Sequence, residues 1–200
     1  MLDAATESLR AFLQANVPPP PGMGDDEWVV AASLDKAAAS GDKLVVSLYR
    51  IEIDRFLRNS VASADGRGRR AATPLPLDLH YVVTTFSASH MVALTSLSHA
   101  LRVVHSEPVF ASTSYLDPKD WHAELADGSL PEHLRIRLEE PTTDNIGHLW
   151  SGVGSGARLA VYLTVGAARV PAELAPVAGA VTASAMAAPG SRAGLGEASR

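Results

Sequence analysis

The chain has no cysteine among its 200 residues, which removes disulfides, thiolate metal sites and thiol nucleophiles together and fits maturation in a reducing cytoplasm. Any zinc site would have to be built from histidine and carboxylate alone. Basic charge is also scarce: 17 Lys and Arg against 22 Asp and Glu leave a net charge of −5. The electrostatic stripe from which binding to nucleic acid or an anionic membrane usually starts is therefore missing. No apolar run comes near the roughly 20 residues that cross a bilayer. The opening Met1-Leu2-Asp3-Ala4-Ala5-Thr6-Glu7 has no cationic stretch leading into an apolar block, so it does not read as a secretory signal. What remains is a chain that is 46% hydrophobic, long enough to bury roughly 70% of the surface its unfolded form exposes.

Catalytic and ligand motifs are equally sparse. The seven histidines show no His-x-His, His-x-x-x-His or His-Glu-x-x-His spacing, so they form no recognisable metal set. Each, including His80 on the polar side of a strand, reads as a surface or capping residue. Gly152-Val153-Gly154-Ser155-Gly156-Ala157 fits the loose dinucleotide fingerprint, but a helix precedes it and a strand follows. Pyrophosphate binding needs the reverse order, in which a strand delivers the glycines to a helix amino terminus. Ser155 fails as a nucleophile elbow because Val153 stands where glycine is required. Asp25-Asp26 and Glu139-Glu140 are adjacent, and neighbours on a strand point to opposite faces, so neither is an acid/base pair by spacing. No cofactor, metal or catalytic residue is expected.

Periodicity supplies an α/β (α+β) reading: a mixed β-sheet flanked by helices. Leu2, Ala5, Leu9, Phe12 and Leu13 recur at helical spacing up to the run Pro18–Pro21, which cannot continue a helix. Trp28–Ser33 reads as a short strand. Lys43–Asp54 reads as an inner strand with Leu44, Val46 and Leu48 on one face and Val45, Tyr49, Ile51 and Ile53 on the other. Leu75–Phe86 alternates Leu75, Leu77, Leu79, Tyr81 and Val83 against Asp78, His80 and Thr84. Ser87 or Ser89 caps a helix along Leu94, Leu97, Leu101 and Val104, closed by Pro108. Val109–Glu132 reads as irregular, with Tyr115 and Trp121 as aromatic anchors. Leu134, Ile136 and Leu138 oppose Arg135, Arg137 and Glu139 on a strand with one wet face. Thr142 or Thr143 caps a helix with an apolar side of Ile146, Leu149 and Trp150, broken by the glycines at 152, 154 and 156. Leu159, Val161, Leu163 and Val165 face inward on the last strand. From Pro171 to Arg200 ten residues are alanine and only four are charged, so this segment reads as an extended or disordered tail.

The ordered landmarks Leu48-Tyr49-Arg50, Leu57-Arg58-Asn59, an arginine-rich loop with Arg67, Arg69 and Arg70, and Pro74-Leu75-Pro76-Leu77-Asp78-Leu79-His80-Tyr81-Val82-Val83-Thr84 carry a resemblance. Leu97, Leu101-Arg102, Pro108-Val109, Leu134-Arg135-Ile136 and Leu149-Trp150-Ser151 extend it in the same order. Together they resemble the amino-terminal domain of the cap, or tail-terminator, family of phage-tail-like contractile injection systems. The resemblance covers residues 1–168 as one tail-terminator-like domain, leaving 169–200 as an Ala/Gly/Pro-rich tail. It implies a structural, non-enzymatic subunit that assembles with itself in a ring, hexameric in the relatives, on the tube and sheath of the particle. Assembly in the cytoplasm, with no nucleic acid partner and no membrane-spanning segment, goes with it. The candidate interface residues are Arg58, Arg67, Arg69 and Arg70, as a salt-bridging arm toward an acidic neighbour. Val177 and Val181 join them, within a Val177–Met186 segment suited to adding a strand to a neighbour. The rival is a small-molecule-binding or enzymatic α/β domain with a pocket around Tyr115, Trp121 and His122.

Overall fold

The computed structural model describes residues 2–20, 23, 27–54, 75–116, 131–154 and 156–170. Among them lie three α-helices, α1 (Leu2–Asn16), α2 (His90–Ser106) and α3 (Thr143–Val153), and six strands. The strands are β1 (Val29–Ala31), β2 (Leu44–Ile53), β3 (Leu75–Thr85), β4 (Val109–Ala111), β5 (His133–Glu139) and β6 (Ala160–Val170). They form one mixed sheet in the order β1-β2-β3-β6-β5-β4. Only β1 and β2 are parallel; the other neighbours are antiparallel. The α+β architecture expected from periodicity is the one observed.

Two apolar layers sandwich the sheet. On one face α1 and α2 bury Leu9, Phe12, Leu13, Leu97 and Val104 against Leu79, Tyr81, Val83, Ile136 and Val165. On the other, α3 and the short 3-10 helix Ala37–Ser40 bring Trp150 and Ala37 onto Val45, Val82 and Tyr162. Trp150 Nε1 donates to the Tyr162 hydroxyl at 3.1 Å, so its polar edge enters the core satisfied. Ser89 caps α2 by accepting from Val92 N–H, and Thr142 caps α3 by accepting from Asn145 N–H. Gly154, at φ +71°, ends α3 in the left-handed conformation that favours glycine.

Several expectations shift for physical reasons. A register shift between Leu48 and Arg50 inserts one residue into β2, and a bulge of this kind exchanges the faces of everything beyond it. Ile51 and Ile53 therefore share the helix-covered face with Leu48, opposite Leu79 and Leu77, rather than the face of Tyr49. Gly152 lies inside α3, so Gly154 alone closes it. The buried stripe of α2 is Ala93, Ser96, Leu97, Ala100 and Val104; small residues let the helix lie close to the sheet, and Leu94 and Leu101 rotate outward. Leu75 and Leu138 keep their expected parity but are exposed, and Leu159, just before β6, is exposed as well. The region read as irregular contains β4, whose three residues are too few to generate a periodic signal.

Leu79 is fully buried at the centre of the larger layer. Leu79→Ala is expected to lower unfolding free energy by about 2–5 kcal/mol, read from urea denaturation; a loss below about 1 kcal/mol would show that this layer is not the stabilising core.

Candidate functional site

On the face carrying α3, the helix covers one end of the sheet, and among the described residues no element covers the other end. Side chains directly opposite in an antiparallel ladder share a face, so the register lays down two polar rows on the uncovered end. One row runs Arg50, His80, Thr164, Arg137 and the next Glu52, Asp78, Gly166, Arg135. Strand alternation supplies the polar residues; sheet order makes them neighbours.

His80 is the centre of this surface, and it is buried, at 6% exposure, rather than the surface residue its polar strand position suggests. Flanking β2, β5 and β6 side chains close over it. Its Nδ1 lies 2.7 Å from Glu139 Oε2. Thr164 Oγ1 donates to the same carboxylate oxygen at 3.2 Å and lies 3.3 Å from Nδ1. Tyr49 O–H also donates to Glu139 Oε2, at 3.4 Å. On the other side of the ring, Nε2 is 3.3 Å from Glu52 Oε2 but makes no hydrogen bond; the separation is right for an ion pair and the alignment is not right for a hydrogen bond. Glu52 in turn pairs with Arg50.

A second bridge crosses β6. Arg137 Nη2 on β5 donates to Asp78 Oδ1 on β3 at 2.8 Å, over Gly166. A Cβ at that glycine would stand 3.1 Å from Asp78 Oδ1 and 3.6 Å from Arg137 Nη2, so the missing side chain leaves room for the ion pair to span the intervening strand.

These contacts tie β2, β3, β5 and β6 together across the polar face. Thr164 and Glu139 both meet Nδ1 of His80, and the Glu52 carboxylate lies on the Nε2 side. Among the described residues no group of three or more His, Asp or Glu can hold a metal ion. No helix among them is long and apolar enough to cross a membrane. The surface is thus a charged, cross-strand-braced platform on an open sheet.

Residues 4–183 match the family model described as the Pvc16 N-terminal domain. The chain belongs to the Pvc16 N-terminal domain family. Its fold is shared with the sheath/tube terminator of an extracellular contractile injection system, PVC, solved by cryo-EM in the extended state. That match has a TM-score of 0.58 and 16% identity, covering 100% of this chain and 65% of that one. It is shared also with the tube-terminating cap of the anti-feeding prophage, at a TM-score of 0.56 and 17% identity, covering 86% of this chain and 55% of that one. The chain therefore spans less than two thirds of the length of either solved relative. No curated protein matches it. The tail-terminator resemblance carried by the strand and helix landmarks is thus borne out at the level of family and fold.

Within this Pvc16 N-terminal fold, the sequence-derived interface residues Arg58, Arg67, Arg69, Arg70, Val177 and Val181 lie outside the described residues, as do Trp121 and His122. Tyr115 packs edge-on against Phe12 and Phe110, and its hydroxyl accepts from Asn16 Nδ2 at 3.2 Å. It anchors the connection to the core.

Two tyrosines carry a measurable consequence. Burial, reinforced by the Glu139 carboxylate, pushes the Tyr49 hydroxyl up to about 12; burial pushes Tyr81 up to about 12 against the opposing hydrogen bond with Thr6. Both stay neutral in the folded chain at a pH where the unfolded chain ionises them, so stability is intact below pH 10 and falls as pH rises toward 12. Denaturation midpoints measured across that window are expected to fall, and less steeply in the Tyr49→Phe/Tyr81→Phe variant. An equal slope in both proteins would contradict the assignment.

Proposed function

We propose that this chain is a structural subunit of the cap that ends the tube and sheath of a contractile injection particle. The match of residues 4–183 to the Pvc16 N-terminal domain carries the reading, and the fold likeness to a sheath/tube terminator and to a tube-terminating cap supports it. The mechanism is passive: copies close into a ring of six, one face docks on the last tube and sheath subunits, and the other offers no site for further addition. A head-to-tail interface closes in this way when its rotation permits. Assembly takes place in the cytoplasm before the particle is complete. In this reading residues 1–168 form the docking domain. Arg58, Arg67, Arg69 and Arg70 reach an acidic neighbour, and the tail 169–200 links copies through the segment holding Val177 and Val181. The subunit acts by shape and charge, with no catalytic step.

Deleting the coding sequence in its host and imaging particles by electron microscopy is expected to give tubes and sheaths of abnormal length, or particles that fall apart at one end. Normal numbers of length-controlled, stable particles would overturn the proposal.

A further inference from the structure

Where the cover of α3 stops and the polar rows begin, the structure leaves a pocket of about 220 Å³. The bulge in β2 makes one wall of it. Leu48 stands opposite Tyr81 and Arg50 opposite His80, with no partner for Tyr49 between them. The inserted residue thus lets Tyr49 and Arg50, neighbours in sequence, line the same pocket. Tyr162 of β6 lines it too. From α3 come Asn145, His148 and Leu149, three and four residues apart on one flank of the helix, and Pro141 joins them from the connection between β5 and α3.

The aromatic walls are set before anything enters. The Tyr49 hydroxyl donates to Glu139 Oε2 at 3.4 Å, and the Tyr162 hydroxyl accepts from Trp150 Nε1 at 3.1 Å. The two rings meet edge to face with centroids 6.2 Å apart. A pocket whose shape is already fixed spares its ligand the cost of ordering it.

Size narrows the ligand. Sites for metabolites and cofactors span roughly 300–1,000 Å³, more than this pocket offers, whereas a cavity of roughly 150 Å³ already holds a benzene ring. The space suits one large apolar side chain. Protein interfaces concentrate their affinity in a few such side chains seated in pockets. Charge narrows the ligand further. No carboxylate lines the pocket, although the chain carries 22 Asp and Glu. Arg50 pairs with Glu52 through one nitrogen and has further N–H groups to give. The side chains of Asn145 and His148 are exposed and make no hydrogen bond or ion pair among the described residues. An anchor that arrives beside Asp or Glu meets donors and no repulsion.

We propose that this pocket is a docking socket for a tube or sheath subunit. One large apolar side chain of that subunit enters between Tyr49, Tyr162 and Leu149, and the carboxylates beside it pair with Arg50 and His148. A second copy of this chain fits less well. Among the described residues, Ile53 is the exposed large apolar side chain with a carboxylate on each side, and Glu52 and Asp54 already interact within their own chain. The inference rests on the cap reading and names the surface by which the chain holds its partner.

Asn145 and His148 lie on the exposed rim, so a full-length Asn145→Glu/His148→Glu variant reverses the rim without entering the core. Expressed in place of the native chain, it is expected to be recovered with purified tubes and sheaths about tenfold less, because like charges now meet at the interface. The cationic Asn145→Lys/His148→Lys variant is expected to exceed it, and thermal melts of the purified variants are expected to match the native chain. The native sequence has no cysteine, so His148→Cys carries a benzophenone at one site. Added to tubes and sheaths from a host lacking the native chain and irradiated, the labelled chain is expected to join a tube or sheath peptide that has a large apolar residue beside Asp or Glu. The same label at Thr95→Cys, on the exposed side of α2, is expected to miss that peptide. If the Glu variant melts early, the crosslink alone decides. A crosslink from position 148 to a second copy, to a peptide without carboxylates or to nothing overturns the socket and leaves the cap reading standing, as does equal recovery of folded Glu and Lys variants. A native chain absent from purified tubes and sheaths overturns both.

Discussion

The β3–β6 ladder is the contact on which the rest of the structure depends. It runs from Leu75 opposite Val170 to Thr84 opposite Ala160, joining two halves of the sheet: β1 to β3 from the first part of the chain, β4 to β6 from the second. Leu79, Tyr81, Val83, Val161, Leu163 and Val165 bury one face of that ladder under α1 and α2. Val82 and Tyr162 meet Trp150 on the other. The same ladder brings His80 beside Thr164, and β5, docking on β6, then delivers Glu139 and Arg137. Core and polar surface are two faces of one long-range pairing.

A mismatch of length gives that sheet its functional character. Central strands of ten or eleven residues are bordered by edge strands of three, so among the described residues β2 and β5 each extend beyond their outer neighbour. The bulge between Leu48 and Arg50 decides what β2 shows there. Without it Ile51 and Ile53 would emerge on the polar face, and the charged Arg50 and Glu52 would lie under the helices. One inserted residue thus sorts the edge into an apolar side and a charged side that match those of β5.

Local chemistry made much of this legible from sequence. β-branched runs flagged β2, β3 and β6, the alternation of Leu134 and Ile136 with Arg135 and Arg137 flagged β5, and Ser89 and Thr142 served as caps where serine and threonine at those positions suggest. The polar residues of the site were visible singly, each on the wet side of its strand. Their assembly was not. His80 and Glu139 are 59 residues apart, and only the strand order places them in contact. The bulge escaped for a similar reason: an inserted residue leaves a strand's composition unchanged and reveals itself only against its partner. Leu94 and Leu101 misled because leucine spacing outweighs alanine in a periodicity reading, whereas close packing of α2 on the sheet favours the small Ala93, Ser96 and Ala100. The family resemblance succeeded because it used the order of elements, which survives when individual spacings do not.

The most direct measurement is a cryo-EM reconstruction of intact particles from the host at a resolution that traces strands. Density for this chain is predicted at one end of the particle only, as a closed ring on the last tube and sheath subunits. Finding the chain distributed along the particle, or missing from particles that are properly closed, would contradict the account.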